Sequence, residues 1–224
     1  MNPLFPFEES FTIEDKKYSY QEVINVLKKT LSSERVARIQ SVCAQRFLHT
    51  SVVTEDIHDI GNVNAVMRSV ENLGFLTMKN IQAESMKYSA RITQGAHKWL
   101  HCQNFKTTTE CMESLKSSNI QIVCTRLSSR ARPIDEIDFS IPTALVFGNE
   151  KKGVSDEMRE FSDVDCIIPS HGFSQSFNIS VAAAISLYHI RYKYRELPAL
   201  ELQKQKILQA HYMLASCKSP HRYF

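Results

Sequence analysis

The sequence predicts an α/β fold: a mostly parallel sheet with helices on both faces, flanked by helices at the amino and carboxy ends. Three observations carry this. Between residues 50 and 194, short β-branched or apolar runs alternate with helical patterns, the order that gives parallel strands covered by crossover helices. Glycines such as Gly74, Gly148 and Gly153 punctuate the alternation at its junctions. The 224 residues, 43% hydrophobic and 23% charged, suit one core with helical additions rather than disorder. No apolar run approaches the roughly 18 to 20 residues of a membrane-spanning helix.

Residues 19 to 47 read as helix, because Val23, Val26, Leu27, Leu31, Val36, Ile39, Val42 and Cys43 recur at three- and four-residue intervals. Ser32 or Ser33 divides the stretch as an N-cap. Thr50 to Glu55 is short and β-branched, hence a strand. The next helix, Asn62 to Leu73, places Val63, Val66, Met67, Val70 and Leu73 on one face and Asn64, Arg68 and Asn72 on the other, with Gly74 closing it. A strand over 75–78, a helix over 107–116 and strands over 120–125 and 144–147 follow. A short helix after Val154, a strand over 165–169 and a long helix over 177–194 complete the core. The last helix, 199–216, starts after Pro198, a residue suited to a first turn. The expected divisions are an amino-terminal helical extension (1–47), an α/β core (48–195) and a carboxy-terminal helix and tail (196–224).

A net charge of +3 neither demands nor excludes a nucleic-acid partner. Lys28, Lys29, Arg35 and Arg38 near one end, with Lys204, Lys206, Lys218 and Arg222 near the other, are candidates for phosphate contact; solvated helix faces account for them equally well. Cys43, Cys102, Cys111, Cys124, Cys166 and Cys217 contain no Cys-x-x-Cys pair, so reduced thiols and no metal site are expected. Glu8 and Glu9 stand where a secretory leader carries Lys or Arg, so a cytoplasmic protein is expected.

Only six glycines occur and none forms Gly-x-Gly-x-x-Gly or a Walker loop, and there is no Gly-x-Ser-x-Gly or His-Glu-x-x-His. Hydride, phosphate and ester chemistries therefore lose ground. Three segments remain. Ala144 to Ser155 runs from a buried strand into a polar loop with two glycines, able to present backbone N–H and C=O groups to an adenosine-like ligand; an ordinary strand-to-helix turn with a Ser155 cap accounts for it too. Asn62 to Leu73 leaves Arg68 open to solvent or substrate. Ser174-Gln175-Ser176-Phe177-Asn178 precedes an Ala-rich helix whose free N–H groups Asn or Ser can cap.

In order and wording these segments resemble the three motifs of the SPOUT methyltransferases, in the TrmH-type (SpoU) branch. Asn62 and Arg68 match an Asn followed six residues later by Arg at a helix start. Phe147 to Ser155 matches Phe-Gly-x-Glu-x-x-Gly-(Val/Ile)-Ser, and Ile168, Pro169, Gly172, Ser176, Asn178, Ser180, Val181 and Ala182 match the third motif. The likeness spans about residues 20 to 195 and is nearest to the tRNA guanosine-18 2′-O-methyltransferases, whose Gly-Ser-His-Lys-Trp element is similar to Gly95-Ala96-His97-Lys98-Trp99. Ile60-Gly61 in place of Pro-His, Phe177 in place of Leu, and His171-Gly172-Phe173 depart from the pattern.

The resemblance implies a deep trefoil knot in the carboxy-terminal part of the core, bound S-adenosylmethionine, a tRNA substrate methylated on the ribose of guanosine 18 in the D-loop, and a homodimer whose interface builds the active site. It implies that Arg68 is the catalytic residue, steadied by Asn62, with Glu150, Ser176 and Asn178 supporting the site. Main-chain groups near Thr125, Phe147, Gly148, Ile168 and Phe177 would hold the cofactor. Lys28, Lys29, Arg35, Arg38 and Lys98 would meet RNA, and no metal or membrane enters. A ribosomal-RNA methyltransferase and a non-catalytic RNA-binding relative fit the same motifs.

Overall fold

The computed structural model describes residues 4–82, 93–197 and 200–224. It divides into two compact units: Leu4 with Leu48–Leu197, and Phe5–Phe47 with residues 200–224. The two ends of the chain, separate in the sequence reading, thus build one unit. In it a hairpin, β1 (Ser10–Ile13) and β2 (Lys16–Ser19), precedes α1 (Tyr20–Leu27) and α2 (Ser33–Ala44), and both helices pack on α7 (Leu202–Ser216). Val23, Leu27, Ile39, Cys43, Leu208 and Met213 are its buried core. The hairpin escapes a sequence reading because its turn uses Glu14 and Asp15 at φ 46° and 64°, where Asn-Gly is the familiar signal. Ser19 and Ser32 cap the helices through the N–H groups of Glu22 and Arg35. The expected helix start at Pro198 and Ala199 lies outside the described residues.

The other unit holds a seven-stranded sheet in the order β5-β4-β3-β8-β6-β9-β7, every neighbouring pair parallel. Its strands are β3 (Thr50–Glu55), β4 (Thr77–Ile81), β5 (His101–Phe105), β6 (Gln121–Thr125), β7 (Arg132–Pro133), β8 (Thr143–Phe147) and β9 (Val164–Ile167). Its helices are α3 (Ile60–Asn72), α4 (Thr108–Lys116), α5 (Asp156–Phe161) and α6 (Ile179–Lys193). The crossover β3-α3-β4 runs one way across the sheet, and β5-α4-β6 and β8-α5-β9 run the other. Right-handed connections therefore place α3 and the α4–α5 pair on opposite faces. On one face Val53, Ile122, Cys124, Ala144 and Val146 pack with Cys111, Met112 and Leu115 of α4 and Met158 of α5. The alternate residues Val52, Val123 and Leu145, fully buried, face the side where α3 lies along α6.

Two differences from the sequence reading have tertiary causes. The strand expected over 75–78 is Thr77–Ile81, because polar Lys79 and Asn80 are buried within it: Lys79 donates to Gln103, and Asn80 accepts from Thr54 Oγ1 at 2.7 Å. Asn64, expected on the polar face of α3, is fully buried. It flanks the apolar stripe, and the covering of α3 by α6 widens the buried arc beyond what the helix period alone indicates.

Candidate active site

The chain leaves β3 and β8, which are neighbours, in opposite directions across the sheet, and in open α/β sheets ligands bind outside the carboxyl ends of strands at such a switch. A cleft of about 850 Å³ opens there, at the ends of β6, β8 and β9. Thr125, Phe147, Gly148, Ile168 and Phe177 all line it, together with Glu150, Ser176 and Asn178. Leu127, Val154, Ile179 and Ala182 add apolar wall. Arg126, also in the lining, is tied to Asp165 at 3.2 Å, while Lys151 and Lys152 are exposed beside it.

The loop from Gly148 to Ser155 is a tight turn. Asn149 and Gly153 exchange backbone hydrogen bonds, each 2.9 Å, and Gly153 takes φ +70°. A Cβ on Gly148 would lie 2.3 Å from the carbonyl carbon of Gly153 and the nitrogen of Val154, so no side chain fits. The loop is fastened to the segment after β3. Asn149 Nδ2 donates to the Asp56 carbonyl at 2.6 Å. The Glu55 carboxyl accepts from Ser155 N–H at 2.9 Å, Ser155 Oγ at 2.6 Å and Thr108 Oγ1 at 2.7 Å. Sequence reasoning passed over Glu55 as the end of a strand; a carboxylate closing a run of buried residues was the available signal.

Glu150 reaches the start of α3, accepting from His58 N–H at 3.0 Å, Asp59 N–H at 3.4 Å and Asn62 Nδ2 at 2.9 Å. Partial burial acts to raise its pKa, but hydrogen bonds from Asn62, its own main chain, His58 and Asp59 outweigh this and hold the carboxyl below its ordinary value. Asn178 Nδ2 donates to Asn62 Oδ1 at 3.2 Å, and its own Oδ1 caps α6 by accepting from Ser180 N–H at 2.9 Å and Ser180 Oγ at 2.6 Å. One residue from each expected motif, Asn62, Glu150 and Asn178, is therefore in a single hydrogen-bonded chain.

Arg68 stands apart. It is exposed on α3 and absent from the cleft lining, and six positions of helix turn it about 120° from Asn62. Within one chain Asn62 holds Glu150 and Asn178 rather than Arg68. Lys28 and Lys29 are exposed in the turn after α1, and Arg35 and Arg38 are exposed on α2, so the helix break divides a set that looked continuous in sequence. Lys98 is exposed in a single helical turn, Ala96–Lys98. Among the described residues no group of three or more His, Cys, Asp or Glu side chains is arranged to hold a metal ion. No described helix is long and apolar enough to cross a membrane.

Comparison with known proteins agrees with this geometry. Residues 49–188, more than half of the chain, match the family described as SpoU rRNA Methylase. A tRNA (guanosine(18)-2′-O)-methyltransferase of Aquifex aeolicus is 33% identical over 82% of this chain and 91% of its own length. The crystal structure of an A. aeolicus TrmH/SpoU tRNA modifying enzyme superposes with a TM-score of 0.72 at 32% identity, covering 84% of this chain and 97% of that one. The SpoU methyltransferase AviRb from Streptomyces viridochromogenes, solved in complex with the cofactor AdoMet, shares the fold with a TM-score of 0.60 at 22% identity, over 69% of this chain and 60% of that one. With the matched span running from the start of β3 to α6 and so enclosing every strand and loop that forms the cleft, the chain belongs to the SpoU methylase family.

Proposed function

We propose that the chain is an S-adenosylmethionine-dependent RNA 2′-O-methyltransferase whose target is the ribose of guanosine 18 in the tRNA D-loop. The observation that carries this is the cleft itself: two of the motif loops form it, and Asn62 from the remaining motif bonds to both. Its size falls within the range of cofactor pockets, part of its wall is apolar, and Gly148 leaves the main chain bare where a ligand can approach. Thr125, Phe147, Gly148, Ile168 and Phe177 would hold the adenosyl part, with Ser176 beside them. S-adenosylmethionine supplies, when bound, a methyl group already electrophilic on its sulfonium, so no metal is needed to activate it. As the ribose hydroxyl gives up its proton to water, Arg68, which stays protonated, stabilises the negative charge developing on the oxygen or grips the adjoining phosphate rather than acting as a base. Incubation with labelled cofactor and total RNA, followed by mapping of the methylated nucleotide, tests the reading. Methyl at guanosine 18 of tRNA is expected; label confined to ribosomal RNA, or none, contradicts it.

The same reading makes the protein a cytoplasmic homodimer, with the carboxy-terminal part of the core tied in a trefoil knot. Family membership supports the knot, as does the crowding of the β8-α5 and β9-α6 connections at one end of the sheet. Supporting the dimer, Val181, Ile185, Tyr188 and Tyr192 are exposed at i, i+4, i+7 and i+11 of α6, an apolar stripe of the kind a second copy covers. A dimer also gives Arg68, outside the cleft of its own chain, a cleft to serve. Ile185→Glu with Tyr188→Glu should convert the dimer to monomer in light scattering and abolish methyl transfer; an unchanged mass removes α6 from the interface.

Lys28, Lys29, Arg35, Arg38 and Lys98, all exposed, are assigned to RNA phosphates. Replacing the first four with Gln should weaken tRNA binding and flatten its log–log salt dependence by roughly 0.7 to 0.9 for each phosphate left without its cation. S-adenosylhomocysteine affinity should stay the same. An unaltered salt slope would take these side chains out of the RNA surface.

A further inference from the structure

We infer that Glu55 is a positioning residue for the cofactor loop, acting through Ser155; the inference rests on the cleft being the S-adenosylmethionine site. Glu55 is 3% exposed, the most deeply buried acidic residue among the described residues. Its surroundings are apolar: Val53 precedes it on the same face, and Val154, Met158, Cys111 and Met112 belong to the cluster there. A carboxyl in such a place is tolerated only when donors satisfy it. Its donors are Thr108 Oγ1, Ser155 Oγ and Ser155 N–H, and none of them is a cation.

Two of those three bonds go to one residue, the last of the turn that begins at Gly148. The other end of the turn is held by the neighbouring Asp56 carbonyl through Asn149, and its middle by Glu150 on the α3 start. Glu55 thus fixes the exit of a loop whose entry and middle are fastened independently. Ser155 passes the constraint on, because its Oγ also caps α5 by accepting from Met158 N–H at 3.0 Å. Without Glu55 the exit is free to shift, the Asn149–Gly153 pairing loses its lower support, and the Gly148 main chain leaves the position the cleft requires. The bond to Thr108 does none of this: it fastens the start of α4, which does not line the cleft.

Calorimetric titration of the full chain with S-adenosylhomocysteine separates these roles. Glu55→Ala should raise Kd by roughly tenfold or more, Ser155→Ala should raise it by a smaller factor, and Glu55→Gln, which keeps an acceptor for Ser155 N–H, should recover much of the loss. In methyl transfer the change should fall on KM for the cofactor, with kcat at saturation within about threefold of wild type. Thr108→Val should leave Kd within about twofold, whatever its effect on melting. If Glu55→Ala does not fold, Ser155→Ala still decides: wild-type affinity in that variant overturns the proposal. Equal effects of Thr108→Val and Ser155→Ala on Kd would reduce Glu55 to a general stabiliser and overturn it too. Failure of the wild-type protein to bind would remove the cofactor reading and this proposal together, whereas a variant result leaves that reading standing.

Discussion

Replacing Arg68 by Ala is expected to cut methyl transfer to tRNA by about 10²- to 10³-fold, the loss typical of removing one donor to a developing oxyanion. S-adenosylhomocysteine should bind as to wild type, because Arg68 does not line the cleft and bonds to none of the residues that form it. Single-turnover assays at saturating cofactor would read the chemical step, and a tRNA binding assay would show how much of the loss is affinity. Arg68→Lys should recover only a part, since an ammonium lacks the planar fork of the guanidinium. Near-normal transfer by Arg68→Ala would end the assignment and turn attention to cations that do line the cleft, such as Arg126, Lys151 and Lys152.

Gly148→Ala, unlike Arg68→Ala, should damage the cofactor site itself. The added methyl meets backbone atoms of Gly153 and Val154 at 2.3 Å, and main chain, unlike a long side chain, cannot step aside. To make room the Asn149–Gly153 hydrogen bonds must break and the loop must open, moving Glu150 off the α3 start. Overpacking of this kind costs about 1–3 kcal/mol, so the protein should fold with a lower Tm. Cofactor affinity should drop by about 100-fold or more, on the scale of several hydrogen bonds broken together. Gly172→Ala is the matched control: a Cβ there meets nothing within 4 Å, and wild-type affinity is expected. If Gly148→Ala binds S-adenosylhomocysteine normally, the loop is not the cofactor cradle.

Much of the fold was legible in the residues themselves. The buried strands β3, β6 and β8 announce themselves as β-branched or apolar runs, and Ser155 and Asn178 could be recognised as caps because short polar side chains precede helical periods. The strands β5 and β7 were not legible: His101–Phe105 carries no apolar alternation, lies at the sheet edge, and has β4 as its one strand neighbour, while β7 has two residues. Burial of Lys79, Asn80 and Asn64 is a tertiary fact, decided by Gln103, Thr54 and α6, all distant in sequence. The cleft-lining residues could be named from motif wording, yet the meeting of Glu150 and Asn178 with Asn62 depends on the order β3-β8-β6-β9, which no local pattern encodes. Glu55 remained hidden because its partners lie 53 and 100 residues away.

The hydrogen-bonded chain from Asn178 through Asn62 to Glu150 spans sequence separations of 116 and 88 residues. Such long loops close slowly, because their entropy is lost before the bond forms. During synthesis β3, α3 and β8 emerge and can pair while Asn178 is still inside the ribosome, so the start of α3 waits with its amide only half engaged. A nascent chain therefore cannot complete the site until α6 has been made, and a ribosome stalled before residue 178 would carry a sheet without a finished cleft. The cleft is thus finished from its carboxy-terminal side, and the last of its three hydrogen-bonded partners to be synthesised, Asn178, is the one that completes it.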